Sequence, residues 1–119
     1  YGFEVRLRIE GDGGRIEHSE LVFGEAVVMV GDERTGAAMK WGVPLVSPKT
    51  AGGNTQCIML FVDDVDAHCA QARRCGATIV DEPAVHDYGA DYWADRSYGA
   101  VDPEGHFWWF TQRLRDPKP

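Results

Sequence analysis

Residues 56–80 read QCIMLFVDDVDAHCAQARRCGATIV. The opening QCIMLFV is a nearly continuous apolar run, the pattern of a well-buried strand. Asp63 and Asp64 follow at the place of a helix N-cap, where a carboxylate accepts from the free N–H groups of the first turn. Val65, Cys69 and Ala72 then recur at helical spacing and predict one buried stripe on a helix over residues 65–75. Arg73 and Arg74 suit the negative end of the helix dipole, and Gly76 suits the residue that ends a helix. ATIV, residues 77–80, predicts a short strand.

Working downstream, YGAVDPEGHFWWF at residues 98–110 predicts two strands around a tight turn at Asp102–Gly105. Pro103 presets φ for the turn, and Gly105 tolerates a positive φ. In the second strand alternation sends Trp108 and Phe110 to one face, and Phe107, Trp109 and Thr111 to the other. Trp108 and Phe110 are expected to cover the helix. His106 is expected to hold the hairpin. His68, among polar helical neighbours, is expected to be exposed. Residues 81–95 are rich in Asp and Tyr and are expected to be irregular, with His86 a candidate to face a cavity. The RLRDPKP tail, residues 113–119, is expected to fray.

Working upstream, FEVRLRI at residues 3–9 alternates strictly and predicts a half-buried strand with Phe3, Val5, Leu7 and Ile9 inward. RIEHSELV, residues 15–22, predicts a second strand with Ile16, His18, Glu20 and Val22 on one face. AVVMVG predicts a third, completing an antiparallel meander. Residues 34–55 are interrupted by Gly36, Gly42, Pro44, Pro48, Gly52 and Gly53, and read as a long crossover or a ligand lid.

Composition narrows the function classes. The 119 residues carry a formal net charge of -7, a poor match for nucleic-acid phosphates and more attractive to cationic ligands. Cys57, Cys69 and Cys75 form no CxxC pair, which argues against a zinc ribbon or a disulfide framework and for a reducing compartment. No stretch approaches the roughly 18 apolar residues of a membrane-spanning helix. No secretory leader is recognised, so the cytoplasm is the expected location. No phosphate loop, nucleophile elbow or Ser-His-Asp arrangement is visible.

The final hairpin resembles the earlier ELVFGEAVVMV, which suggests an internal repeat. The pieces FVDDVDAHCAQARRCGATIV (61–80), DRSYGAVDPEGHFWW (95–109) and GGRIEHSELVFGEAVVMVGDE (13–33) resemble the vicinal-oxygen-chelate superfamily. That superfamily includes glyoxalase I, the extradiol dioxygenases and the bleomycin-resistance proteins. The resemblance implies an α+β fold of paired βαβββ modules, forming a cupped mixed sheet around a ligand cavity, usually in a homodimer. Residues 1–34 would be a first module lacking its leading strand and helix, 35–55 the crossover and 56–115 the second module of one domain.

In the metal-dependent relatives four positions supply ligands, usually His or Glu. By comparison Met29, Cys57 and Trp109 stand at three of these, and the fourth would lie in the lacking strand. Trp offers only a donor N–H, Met is a soft and weak ligand, and one Cys makes no site. The expectation is therefore a metal-independent small-molecule binder similar to the bleomycin-resistance branch. Its ligand, cationic or aromatic, would touch Met29, Cys57, Met59, Trp93, Arg96, Tyr98 and Trp109. A rival reading is a glyoxalase-type lyase or dioxygenase holding one divalent metal through a non-standard set that includes His18 and Glu20. That pair is also the candidate acid/base couple. A third reading is a partner-binding module.

Overall fold

The computed structural model describes residues 1–39 and 41–119. The chain divides into two compact units: Gly2–Val46, and Ser47–Pro119 together with Tyr1. Their boundary falls inside the crossover expected at 35–55, of which Lys40 lies outside the described residues.

In the first unit β1 (Glu4–Glu10), β2 (Ile16–Phe23) and β3 (Ala26–Val30) form an antiparallel sheet in that order. Gly13 and Gly14 turn the chain between β1 and β2 with φ of 69° and 77°, where a side chain would be strained. The half-buried β1 expected from alternation is not realised, since the strand is exposed along its whole length. Its register with β2 shifts between Val5 and Leu7 and again between Ile9 and Glu10. Each irregularity interrupts the period of two that would keep one face inward. Arg34 and Leu45 are joined by paired backbone hydrogen bonds of 2.8 and 2.9 Å.

The second unit begins with a four-residue helix, α1 (Pro48–Ala51), capped by the Ser47 hydroxyl. It then runs β4 (Ile58–Phe61), α2 (Val65–Arg74), β5 (Thr78–Asp87), β6 (Ala94–Val101) and β7 (Phe107–Arg115). The sheet order is β4-β7-β6-β5, with β4 parallel to β7 and the other neighbours antiparallel. This is one βαβββ module within an α+β fold.

The Asp64 carboxylate caps α2 by accepting from the Ala67 N–H at 3.0 Å. Val65, Cys69 and Ala72 are the buried residues of the helix, as its spacing predicts. The covered face of the sheet holds fully buried Tyr98 and Phe110, with Ala100 and Trp108 beside them. Trp108 and Phe110 stack at 6.2 Å between ring centroids, and Tyr98 and Phe110 at 5.2 Å.

His68 is where expectation fails on α2. It is half-buried, with its ring 4.4 Å from that of Phe110. Nε2 donates to the Tyr1 carbonyl at 2.7 Å, leaving Nδ1 to accept from the Tyr98 hydroxyl at 2.6 Å in the neutral form. Polar neighbours in sequence did not reveal that position 68 lies one turn from Val65 and from Ala72, on the covered flank of the helix. Burial lowers its pKa and outweighs the hydrogen bond to Tyr1, which raises it. The unfolded chain therefore takes up the proton first. The stability contributed by neutral His68 is complete above the ordinary value of 6.5 and declines as pH falls from there toward the lowered folded value. Urea unfolding at a series of pH values is expected to show this component in the wild type and not in His68→Gln.

Two segments expected to be irregular are strand. β5 continues through residues 81–87, because it is an edge strand. Its register shifts on either side of Asp81 accommodate Pro83, which has no N–H for a ladder. β7 continues to Arg115, and beyond it Lys118 still meets Asp91, through its backbone N–H at 3.1 Å and its ammonium at 2.9 Å. Arg113 pairs with Asp95 at 2.5 Å and Arg115 with Asp87 at 2.6 Å, fastening the end of the strand.

Segment 47–54 docks on the Asp102–Gly105 turn. Lys49 N–H donates to the Glu104 carbonyl, Asn54 Nδ2 to the Gly105 carbonyl, and Phe107 N–H to Asn54 Oδ1, at 3.1, 2.8 and 3.1 Å. This part of the crossover is fixed to its own unit through the turn it covers.

Candidate functional site

Residues paired across a sheet share a face. From the register, Ile58, Trp108, Ala100 and Ile79 form one row, and Leu60, Phe110 and Tyr98 the next, both under α2. The opposite face carries four other rows. Phe107 faces Val101. Met59, Trp109, Gly99 and Asp81 form the second. Phe61, Thr111, Ser97 and Ala84 form the third row, and Arg113, Asp95 and His86 the fourth.

The chemistry changes along these rows. Phe107 and Trp109 place their ring centroids 5.1 Å apart at an interplanar angle of 48°. Met59 and Phe61 leave about half of their surface exposed beside them. The Ser97 and Thr111 hydroxyls are buried and hydrogen-bond each other at 3.1 Å. The Arg113 guanidinium lies 5.1 Å from the Phe61 ring and holds Asp95. An apolar aromatic area thus grades through two hydroxyls into an arginine held by Asp95 and Asp116, an arrangement suited to a flat molecule with one polar end.

The structure brings together Met59 and Trp109 from the expected ligand-binding set, with Cys57 exposed just ahead of β4. It separates Arg96 and Tyr98 from them. Strand alternation sends positions 96 and 98 to the face under α2. There Arg96 forms a two-point ion pair with Asp66 at 2.9 and 3.0 Å, and Tyr98 engages His68. The helix carries Asp66 across the strand to Arg96. An open depression of about 300 Å³ lies on that side, lined by Asp66, Cys69, Arg73, Glu82 and Arg96 among others. Its charges are already paired as Arg96–Asp66 and Arg73–Glu82, so it offers a ligand little. Trp93 lies just outside β6, its ring 4.9 Å from that of Tyr88 in the loop that closes the β5–β6 hairpin.

Met29, His18 and Glu20 belong to the first unit. There Glu20 pairs with Met29 across β2 and β3, and His18 is two residues along the same face. His18 Nε2 lies 3.7 Å from Glu20 Oε2. Arg6 binds the other carboxylate oxygen at 2.5 Å, and its hydrogen bond holds Glu20 below the usual carboxylate range. A carboxylate stabilised in this way is a weak proton acceptor, so the pair is poorly tuned as an acid/base couple. Among the described residues no group of three His, Cys, Asp or Glu side chains is placed to hold a metal ion. At the three positions that the resemblance implies as ligand positions in metal-dependent relatives, a thioether, a thiol and an indole offer one strong donor among them. These residues do not fit a catalytic divalent metal.

Gly99, Phe61 and Arg113 are parts of the open face that sequence reading did not single out. Continuing the alternation of Phe107, Trp109 and Thr111 by one step reaches Arg113. The intervening assumption that the tail frays concealed it.

The fold defines a glyoxalase-like α+β protein. The model of the Glyoxalase/Bleomycin resistance protein/Dioxygenase superfamily matches residues 2–110, and the chain belongs to that family. It is similar to the crystal structure of TioX from Micromonospora sp. ML1, at 33% identity and a TM-score of 0.66, covering 96% of this chain and 81% of that one. A family member from Alicyclobacillus acidocaldarius shares the fold at 11% identity and a TM-score of 0.58, covering 96% and 75% of the two chains. Uncharacterized proteins of Mycobacterium bovis and Mycobacterium tuberculosis are each 36% identical over 110 residues, or 92% of this chain. The chain spans 66% and 59% of their lengths. Among the described residues no helix is long and apolar enough to cross a membrane.

Proposed function

We propose that this chain is a metal-independent small-molecule-binding protein, similar in role to the bleomycin-resistance branch of its family, and that it takes a planar aromatic ligand. One observation carries this reading. Where a metal-dependent relative would need a carboxylate, Trp109 sits on the open face of the sheet, with Phe107 and Met59 as neighbours. An indole in that position supplies stacking surface in place of a lone pair. The Arg113 guanidinium beneath is already held by Asp95 and Asp116, so the exposed aromatic and thioether surface, rather than a free charge, favours an aromatic ligand. A homodimer fits the same reading, because Leu7, Ile9, Val27 and Met29 are left exposed on the first unit's sheet.

The test is an NMR titration of the labelled chain with 2-naphthol, a planar aromatic probe with one polar end. The Trp109 indole N–H and the Met59 methyl are expected to shift together and to saturate. Trp109→Ala is expected to weaken binding roughly tenfold or more, since a stacked aromatic contact is worth about 1–3 kcal/mol. Shifts confined to residues away from Met59, Phe107 and Trp109 would refute the assignment of this face.

A further inference from the structure

Gly99 lies in the middle of β6, and its backbone is not in the left-handed region that calls for glycine. A strand-interior glycine weakens a strand and often marks a close approach by another group. Here the approaching groups are the two rings. A Cβ at position 99 would stand 2.8 Å from Phe107 Cζ, 3.0 Å from Phe107 Cε1 and 3.3 Å from Trp109 Cζ3. The first distance is too short for carbon atoms in contact, so Phe107 would have to swing away, and Trp109 would have to give as well. Gly99 is also the register partner of Trp109. The Trp109 ring from the same row and the Phe107 ring from the neighbouring row therefore lean over a position that has no side chain.

We propose that Gly99 is the positioning residue of the open face. By leaving its place empty it lets Phe107 and Trp109 lie down over β6 as a low aromatic floor. That floor selects a planar ligand over a saturated one of the same size. The inference rests on the binding role proposed above and adds the residue that sets its selectivity. A glycine that served only to be covered by cross-strand aromatics would affect folding and leave that selectivity alone.

The experiment compares 2-naphthol with decahydro-2-naphthol on the wild-type chain and on Gly99→Ala, with thermal unfolding measured in parallel. The wild type is expected to prefer the planar probe by about tenfold, as stacking on two rings allows. Gly99→Ala is expected to reduce that preference to about twofold or less by tilting the rings. Should Gly99→Ala fail to fold, Gly99→Ala/Phe107→Leu is compared with Phe107→Leu. The shorter leucine makes room for the added methyl, and the double variant is expected to show the lower preference of the two. An unchanged preference in a folded Gly99→Ala, or in the double variant against its parent, overturns the proposal. Binding of both probes at Trp109 with equal affinity in the wild type overturns it while leaving the binding face in place. Absence of binding by either probe removes the binding role itself.

Discussion

Trp108→Ala is expected to lower the free energy of unfolding by about 3–5 kcal/mol, the range for removing a buried tryptophan, and Trp109→Ala by much less. Both are adjacent indoles on β7, and composition gives no reason to separate them. Their neighbours do. Trp108 is 8% exposed, stacks on Phe110, contacts the Tyr1 ring and donates its indole N–H to Asp102 at 2.9 Å. Truncation leaves a cavity in the layer beneath α2 and removes one of the donors to the Asp102 carboxylate. Trp109 lies on the other face beside partly exposed Met59, where water can take the place of the lost ring. Urea unfolding of the two variants checks the contrast. A larger loss from Trp109→Ala would mean that the two faces are reversed, and the reading of Trp109 as ligand surface would fall with them.

The same contrast shows what a sequence discloses. Strong periodic signals survived: the Asp64 cap, the Val65, Cys69, Ala72 stripe and the alternation of 107–111 depend on local geometry that neighbouring residues already determine. The misses share a different cause. Pro83 and the charged residues around it disguise β5, because an edge strand needs partners on one side only and tolerates polar side chains on the other. Arg113 and Arg115 look like a tail until Asp95 and Asp87, far away in sequence, supply their counter-charges. His68 looks exposed until Tyr1 and Tyr98 arrive on either side of its ring. The candidate site was legible only in part for the same reason. Trp109 and Met59 were found because each lies in a run with clear strand character. Arg96 and Tyr98 were grouped with Trp93 by sequence proximity, and the sheet divides residues by parity as well as by proximity. Gly99 carried no local signal at all, since its meaning comes from rings that reach it across the ladder.

The second large effect is expected at Asp102. Its Oδ1 accepts from the Glu104 and His106 backbone N–H groups, each at 3.0 Å, and Oδ2 accepts from the Trp108 indole at 2.9 Å and lies 2.9 Å from His106 Nδ1. One carboxylate thus closes the turn and satisfies the buried indole. Asp102→Ala is expected to cost about 1–3 kcal/mol for the lost hydrogen bond from the Trp108 indole, with the loss of the turn contacts added to it. Asp102→Asn is expected to fall between, because the amide keeps one acceptor and must present a donor to the other group. Burial pushes the Asp102 carboxyl up, but the donors from Trp108 and His106 outweigh it and hold it below its ordinary 3.8. Its contribution is therefore complete above that value and is lost as pH falls toward the lower folded value, a component absent from Asp102→Asn. Binding separates this residue from the open face. The β6–β7 register from Ala94 to Val101 is held by the ladder as well as by the turn, so natively folded Asp102→Ala is expected to bind 2-naphthol within about twofold of wild type. A large loss of affinity in the folded variant would show instead that the turn, through β7, holds Trp109 in its binding position.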